Sequence, residues 1–209
     1  MFVVITGLDG SGTSTIAKEL SKKDKNSILL KTPSAEYSDR NSIDKNIRPY
    51  SRTAHFLYYL SSTVYMSDYI KENIDYENND VYCVRYLIDT VVSNRVGGVE
   101  VDLDYNIYGN ELLQPDVTIF VSLDEKIRQT RITNRGKSTL DKVLDDDETR
   151  NRFLEQFSDL LPADTIFVDN SLPLEENIDV IYSEIEKRKV QKMQEKSKIK
   201  VLQHQRNNW

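Results

Sequence analysis

Residues 3 to 20 decide the fold and read Val3-Val4-Ile5-Thr6-Gly7-Leu8-Asp9-Gly10-Ser11-Gly12-Thr13-Ser14-Thr15-Ile16-Ala17-Lys18-Glu19-Leu20. A short apolar run meets a glycine-rich turn, which opens into a helical pattern with Ile16, Ala17 and Leu20 on one face. Strand, loop and helix in this order are the context that a phosphate-binding loop requires. Glycines let backbone N–H groups approach an anion, and the positive end of the helix dipole points at the same place. We therefore expect a nucleotide phosphate to bind at Gly7, Gly10, Ser11, Gly12, Thr13, Ser14 and Thr15.

The loop departs at one position from the phosphate-binding pattern G-x-x-x-x-G-K-[ST]. Ser14 stands where the pattern has its magnesium-binding hydroxyl, but Thr13 occupies the position of the lysine. A threonine hydroxyl cannot supply the positive charge that a lysine brings to the phosphates. Either another cation does that work, or the loop binds a nucleotide without transferring its phosphate.

Length and composition indicate one folded domain outside the membrane. The chain has 209 residues, of which 38% are hydrophobic and 30% charged. No apolar run approaches the roughly 20 residues that a membrane-spanning helix needs. The N-terminus lacks the basic segment of a signal peptide. A single cysteine, Cys83, and two histidines exclude an internal disulfide and a zinc site, so a reducing cytoplasmic location is expected.

Charge is distributed unevenly along the chain. Residues 187–209 contain eight lysines or arginines and one glutamate, a net charge of +7 within a whole-chain charge of −6, so residues 1–186 carry −13. We divide the chain into a domain of residues 1–186 and a basic tail of residues 187–209. The acidic domain disfavours a nucleic-acid partner, and the tail has no aromatic residue among its charges before Trp209. The tail fits a solvated helical extension or an oligomer contact.

Five short β-rich runs alternate with longer, mostly helical stretches. The runs are Phe2 to Thr6, Ser27 to Lys31, Val81 to Val84, Val117 to Val121 and Thr165 to Val168. Their continuous apolar character is typical of parallel strands buried on both faces. We predict an α/β fold with a five-stranded parallel sheet flanked by helices and a ligand site at the carboxyl ends of the strands.

Four segments between or after the strands have a clear local pattern. Residues 54–73 have apolar residues at the spacing of a helix, and their tyrosines are expected mainly to pack, although one or two could line a base pocket. Residues 97–114 suggest a loop, and the acids from Asp145 to Glu148 suggest the start of a helix. The last helix is expected to bury Ile178, Ile181 and Ile185.

Several charged residues are candidates for phosphoryl transfer, which needs the phosphates held in place and their charge offset. Arg128, Arg131 and Arg135 share a helix face and could form a cationic lid, or simply a solvated face. Arg85 follows a strand and could meet a second phosphate, or pair with Asp89 one turn later. Asp9 lies inside the phosphate loop, where a sugar hydroxyl or a metal-bound water would suit it better than an anion.

These motifs together resemble the thymidylate kinase family of nucleoside and nucleotide kinases. Gly7 to Thr15 resembles its phosphate loop, Arg85-Tyr86 with Asp89-Thr90 its Asp-Arg-Tyr segment, and Lys31-Thr32-Pro33 its Arg-Glu-Pro segment. Pro115-Asp116 and the Arg131 to Gly136 region resemble its fourth strand and lid, and Val168 to Glu176 its last strand and helix. The likeness covers residues 1–186 in order.

The resemblance implies a three-layer kinase fold, Mg²⁺-ATP as donor, and a nucleoside monophosphate or nucleoside as acceptor. By position it implies catalytic roles for Asp9, Arg85, Arg131 and Arg135, a lid over about residues 128–145, and magnesium at Ser14. It implies acceptor binding by Asp9, Pro33, Arg85, Tyr86 and Asp89. It also implies a homodimer and a small-molecule nucleotide partner, and the absence of a long apolar run predicts no membrane partner.

The sequence departs from the family pattern on both the donor and the acceptor side. Thr13 replaces a lysine, Val84 the aspartate before Arg85, and Thr32 the acid before Pro33, and the helix of residues 54–73 lacks the family's arginine. Two hypotheses follow: an active kinase, or a nucleotide-binding relative with lost or altered catalysis that acts as a regulatory or partner subunit.

Overall fold

The computed structural model describes residues 1–99, 111–137 and 139–206, apart from the side chains of residues 139, 140 and 200–206. Its strands are β1 (Phe2–Thr6), β2 (Ile28–Lys31), β3 (Val81–Val84), β4 (Val117–Ser122) and β5 (Ile166–Asp169). They form one sheet in the order β2-β3-β1-β4-β5, and every neighbouring pair is parallel. All five predicted strands are confirmed, with bounds that differ by no more than one residue.

Helices connect the strands and cover both faces of the sheet. They are α1 (Thr13–Lys23), α2 (Arg40–Asn46), α3 (Arg52–Asn73), α4 (Leu87–Val96), α5 (Glu125–Arg135), α6 (Thr139–Val143), α7 (Asp147–Leu160) and α8 (Leu174–Arg206), with a 3₁₀ turn at Ala35–Tyr37. None of the helices within these described ranges combines the length and the apolar character that crossing a membrane requires. Most of the predicted loop at residues 97–114 lies outside the described residues.

Side-chain caps explain where several helices begin. The Ser51 hydroxyl accepts the N–H of Ala54 at 3.1 Å, so the helix predicted from residue 54 begins at Arg52. The Asp146 carboxylate accepts the N–H of Thr149 at 2.7 Å, and two further acids occupy the first turn of α7. The acidic run therefore starts a helix, as predicted.

Alternation along β1 divides the core between the two faces of the sheet. Val3 and Ile5 face a cluster that includes α1 and the start of α8, where Ile178, Ile181 and Ile185 are buried as predicted. Phe2 and Val4 face the opposite cluster, formed largely by α3 and β3. Because β1 is buried on both faces, it is the centre of the domain.

The basic tail continues α8 and pairs with acids at the amino edge of the sheet, by which we mean the side where the parallel strands begin. Lys189 pairs with Asp80, Lys192 with Asp116, and Lys196 with Glu77. Asp80 also accepts the Met1 amine at 2.9 Å. Acids on the protein's own domain thus neutralise part of the tail's positive charge.

The strand order directs the site to the carboxyl end of β1. Strand β1 lies between β3 and β4, so the chain leaves the sheet centre in opposite directions after successive strands. A crevice forms at such a switch point, outside the carboxyl ends of the strands. The glycine-rich loop of residues 7–12 lies there, directly before α1.

Candidate active site

The glycine-rich loop is a cradle of open backbone N–H groups. Within the described residues, no hydrogen bond engages the N–H of Gly10, Gly12, Thr13 or Ser14. Gly10 and Gly12 have φ values of 87° and 105°, which L-residues rarely adopt. With the N-terminus of α1 behind them, these donors can surround a phosphate. The predicted phosphate loop therefore has the geometry that anion binding requires.

The hydroxyl side chains of the loop differ in where they lie. Ser14 and Thr15 are exposed at the first turn of α1, whereas Thr13 is 7% exposed. Ser11 is also buried, and its hydroxyl has no hydrogen-bond partner among the described residues. Ser14 is thus open to a phosphate-bound metal ion, while the side chains of Thr13 and Ser11 are turned into the protein.

Arg85 joins the phosphate loop to the start of α4. Its guanidinium donates to Asp9 at 2.6 Å and to Asp89 at 3.0 Å. The residue has a φ of 67°, in the left-handed region. Arg85 therefore pairs with Asp89 one turn later, which was one expectation for it, and it also lies against the phosphate loop. Desolvation would lower the pKa of the partly buried Arg85, but these two carboxylates outweigh it and raise the pKa, so the residue stays charged.

Asp89 is a buried anchor of this network. It accepts the Thr6 hydroxyl at 2.7 Å and the Tyr86 N–H at 3.1 Å. Burial raises the pKa of Asp89, although Arg85 and these hydrogen bonds oppose the shift. The ring of Tyr86 is buried against Phe2, with centroids 5.2 Å apart. Of the predicted acceptor residues, Asp9, Arg85 and Asp89 lie together, whereas the Tyr86 side chain packs in the core.

Arg128 is an internal support of the loop. It is 1% exposed, binds both oxygens of Glu125, and donates to the backbone carbonyls of Asp9 and Leu144 at 2.9 and 3.2 Å. A Cβ on Gly10 would lie 2.7 Å from Ile132 and 3.2 Å from Arg128. Arg128 and Ile132, one turn apart on α5, are therefore packed against the loop, which corrects the expectation that Arg128 belongs to a cationic lid.

Arg131 and Arg135 point to different partners. Arg131 is exposed and donates to the backbone carbonyl of Asn170 at 3.2 Å. Its other terminal nitrogen lies 3.5 Å from the place where a Cβ on Gly12 would stand. Arg135 is half exposed and pairs with the buried Asp141 at 2.8 Å. Both remain at the mouth of the site, but Arg131 is the one that touches the phosphate loop.

The end of β2 contributes a further cation beside Arg85. Lys31 pairs in register with Val84, the residue before Arg85. Partial burial and the positive charges of Arg40, Arg85 and Arg135 lower the pKa of Lys31. Neither Lys31 nor Arg40 forms an ion pair with any residue in the described ranges. Four positive charges from separate segments thus act on one place.

Thr32 and Pro33 follow Lys31 and close this end of the strand. The peptide bond between them is cis. The Thr32 hydroxyl is buried 3.7 Å from the Cys83 sulfur, which donates to the Arg85 carbonyl at 3.2 Å. Burial raises the pKa of the Cys83 thiol to about 12, so the thiol is neutral. Thr32, at the sequence position of the acid in the Arg-Glu-Pro segment, therefore presents a buried hydroxyl beside the Cys83 thiol rather than a carboxylate.

Helix α3 presents hydroxyls rather than an arginine beside this network. Thr63 is buried 3.3 Å from the Thr90 hydroxyl, and Ser62 donates to its own helix at Tyr59. Tyr65 and Tyr69 are exposed and stack with centroids 6.2 Å apart. Tyr65 also lies against Tyr37, with centroids 6.0 Å apart, so both rings pack on other tyrosines, and a tyrosine in a base pocket stays a prediction.

Sequence reasoning missed two residues of the site. Asn170 is 4% exposed and donates from its side-chain amide to the Ser11 carbonyl at 2.7 Å. Arg40 begins α2, and its charge acts on Lys31. Asn170 follows a predicted strand, which is the available signal, since parallel strands end beside the phosphate loop. Nothing in the local pattern marks Arg40.

Comparison with known sequences finds kinases of nucleotides. The family model described as Thymidylate kinase matches residues 5–181. A thymidylate kinase of Mycoplasma mobile is 30% identical over 154 residues, which cover 66% of this chain and 72% of that protein. A thymidylate kinase of Ligilactobacillus salivarius is 26% identical over 160 residues, 68% of this chain and 74% of that protein.

Solved structures share the fold. Thymidylate kinase from Candida albicans superposes with a TM-score of 0.70 and 19% identity, covering 90% of this chain and 92% of that one. Deoxyadenosine kinase from M. mycoides, solved with dCMP and dCDP, superposes with a TM-score of 0.66 and 21% identity, covering 90% and 100%. These two likenesses support the α/β fold described above for this chain.

Proposed function

The chain belongs to the thymidylate kinase family and is an ATP-dependent kinase of nucleotides or nucleosides, and we propose that its acceptor is a nucleoside monophosphate. The observation that carries this proposal is the excess of positive charge on the acceptor side of the phosphate loop. Asp9 and Asp89 offset Arg85, whereas Lys31 and Arg40 have no carboxylate partner in the described ranges. A phosphate-bearing acceptor supplies the missing negative charge.

The carboxylates of the site also favour a monophosphate over a nucleoside. A nucleoside hydroxyl must lose its proton as it attacks, which calls for a general base within reach. Asp9 and Asp89 are both bound to Arg85, and Asp89 is buried. The buried Thr32 hydroxyl cannot act as a base at neutral pH. A monophosphate oxygen is already ionised and needs no such residue.

Magnesium-ATP is the proposed donor. The open N–H groups of the loop would hold its phosphates, and the exposed Ser14 hydroxyl is a hard oxygen ligand of the kind Mg²⁺ takes beside phosphate oxygens. When bound, the metal would offset the charge on the transferring phosphoryl group. Arg131 and Arg135 would stand over the donor, Arg85 at the acceptor phosphate, and Asp9 at the acceptor sugar. The alternative of a catalytically altered partner subunit gains no support from the family matches.

A substrate panel with a charge variant tests this assignment. Purified protein with Mg²⁺-ATP should phosphorylate at least one nucleoside monophosphate with a kcat/KM at least about 100-fold above that for the matching nucleoside. In Lys31→Ala, KM for that monophosphate should rise about tenfold with KM for ATP unchanged, because one charged contact is lost. The exposed Lys126→Ala is the matched control for loss of a positive charge. Faster turnover of nucleosides, or equal effects of both variants, would refute the assignment.

We also propose that the protein is cytoplasmic and forms a homodimer through α3. The outer face of α3 leaves four large side chains at least partly exposed, namely Leu57, Val64, Tyr65 and Tyr69. Large apolar side chains that remain exposed on one helix can mark an interface. Light scattering during gel filtration should give twice the chain mass for the native protein and the single mass for Leu57→Asp combined with Val64→Asp. A native protein that elutes with the mass of a single chain would contradict the proposed homodimer.

A further inference from the structure

Helix α2 carries Arg40 to the site, but little apolar packing holds this helix in place. None of the seven residues of α2 is buried, and the Asp39 side chain does not cap its start. A helix in a protein is normally fixed by an apolar face that packs on its neighbours. Partial burial and the charge of Arg40 nevertheless lower the pKa of Lys31, so Arg40 lies close to the end of β2. Another contact must therefore hold α2 there.

The Asp44 carboxylate makes that contact. Its Oδ1 atom lies 2.7 Å from Nε2 of His55 and accepts the Tyr59 hydroxyl at 2.9 Å. Because an ionised carboxylate can only accept, the Nε2 atom of His55 carries a proton and donates it to this bond. His55 and Tyr59 lie one turn apart on α3, with ring centroids 4.9 Å apart. One oxygen of α2 thus takes two donors from the longer helix.

The two donors are themselves held firmly by α3. His55 is 8% exposed and Tyr59 is half-buried, while Phe56 and Leu60 of the same helix turns lie in the core. Burial would raise the pKa of Asp44, but the hydrogen bonds from His55 and Tyr59 outweigh it and lower the pKa. The carboxylate is therefore ionised at neutral pH, and hydrogen bonds to a charged group are stronger than neutral ones.

The same contact leaves the charge of Arg40 free. Arg40 and Asp44 are four residues apart on α2, a spacing at which an arginine and an aspartate can pair. They do not pair here, because Asp44 is turned to His55 on α3. No other carboxylate within the described ranges pairs with Arg40 either. Asp44 thus fixes the helix without neutralising its arginine.

We propose that Asp44 is a positioning residue that binds His55 and Tyr59 of α3 and thereby holds Arg40 at the acceptor phosphate. Arg40 contacts the phosphate, and Asp44 acts through Arg40. This inference rests on the monophosphate acceptor proposed above. It gives a use to three titratable side chains that phosphoryl transfer itself does not require.

Acceptor kinetics test the positioning role. Asp44→Ala should raise KM for the monophosphate at least about fivefold with KM for ATP unchanged, because α2 loses two hydrogen bonds to a charged group. Asp44→Asn keeps an accepting oxygen and should recover most of the native KM. In the Arg40→Ala background, Asp44→Ala should add little. Glu72→Ala, which removes an exposed carboxylate of α3, should stay within about twofold. Melting curves show that each variant folds.

Titration of Lys31 by NMR tests the position of Arg40 without any acceptor. Because the charge of Arg40 helps to lower the pKa of Lys31, this pKa should rise in Asp44→Ala and in Arg40→Ala, with no further rise in the double variant. An unchanged Lys31 pKa in a folded Asp44→Ala, or additive effects of the two changes on KM, would overturn the proposal. Failure to phosphorylate any monophosphate would count against the proposed acceptor, and the Lys31 titration would still decide whether Asp44 positions Arg40.

Discussion

Charge is handled differently at the two edges of the sheet. At the amino edge, Lys189, Lys192 and Lys196 each meet a carboxylate of the same chain. At the carboxyl edge, Lys31 and Arg131 have no carboxylate partner within the described ranges, and the loop between them has open N–H groups. The amino edge is satisfied by the protein itself, whereas the carboxyl edge keeps positive charge and N–H donors that the proposed ligands would engage. That contrast is typical of a scaffold on one side and a phosphate-binding site on the other.

Removing Arg85 should have the largest effect on activity. Arg85→Ala withdraws the cation from between Asp9 and Asp89 and leaves Asp89 buried without its charge partner. We expect kcat/KM for the acceptor to fall about 10²- to 10³-fold, as when a preorganised donor to a reacting group is lost. Steady-state kinetics measure it, with the exposed Arg95→Ala as control. Retention of more than a third of the native value would contradict the role given to Arg85.

Removing Asp80 should have the largest effect on stability and little on catalysis. Burial would raise the pKa of Asp80, but hydrogen bonds with Asp24, Lys189 and the Met1 amine outweigh it and hold the pKa below its ordinary 3.8. Asp80→Asn should lower the free energy of unfolding by about 3 kcal/mol, because buried cations lose their partner. Chemical denaturation at pH 7 measures the loss, and the ATP affinity of the folded variant should not change.

The pH dependence of this stability difference between the native protein and Asp80→Asn follows from the direction of the Asp80 pKa shift. A carboxyl whose pKa is lowered on folding contributes stability above its unfolded pKa and loses it as the pH falls through the folded value. The native protein and Asp80→Asn should therefore differ by a constant amount near neutrality and converge below about pH 4. A gap that widened in acid would show that Asp80 is protonated in the native state.

Gly12→Ala should damage donor binding more than it damages the fold. The added Cβ meets a left-handed backbone, with φ of 105°, and collides with the Asn170 amide. We expect Mg²⁺-ATP affinity to fall about tenfold or more, because relief of a strain of about 1–2 kcal/mol and of the collision shifts the open N–H groups of the loop that would hold the phosphates. Gly98→Ala is the matched control, because it has φ of 76° but meets only the flexible Arg52 side chain within 4 Å. Equal losses of affinity in both variants would point to general strain.

The exposed end of the tail should matter least. Lys192→Ala removes a half-exposed pair with Asp116 and should cost about 0.5 kcal/mol, a loss that salt reduces. Lys196→Ala removes a pair in which both side chains are largely exposed, so no measurable change in Tm is expected. Differential scanning calorimetry at low and high salt distinguishes them. Weaker ATP binding in either variant, with Tm nearly unchanged, would show that the amino edge is part of the site.

The sheet could be predicted from the sequence because its strands are short apolar runs, and such runs between helical patterns are readily assigned as buried strands. It did not predict the fate of the arginines on α5, because a spacing of three or four residues gives a common face without saying whether that face is buried. Glu125, three residues before Arg128, was the signal that could have identified an internal ion pair. Asn170 could not be connected to Ser11 from local pattern, since 159 residues separate them and the contact exists only once β1 and β5 share a sheet.

The most direct test of the carboxyl edge uses two bisubstrate compounds. Adenosine and thymidine joined by five phosphates span a donor site and a monophosphate site, whereas four phosphates span a donor site and a nucleoside site. Calorimetry in Mg²⁺ should show the five-phosphate compound binding at least about tenfold more tightly, with the preference lost in Lys31→Ala. Tighter binding of the four-phosphate compound would contradict the account.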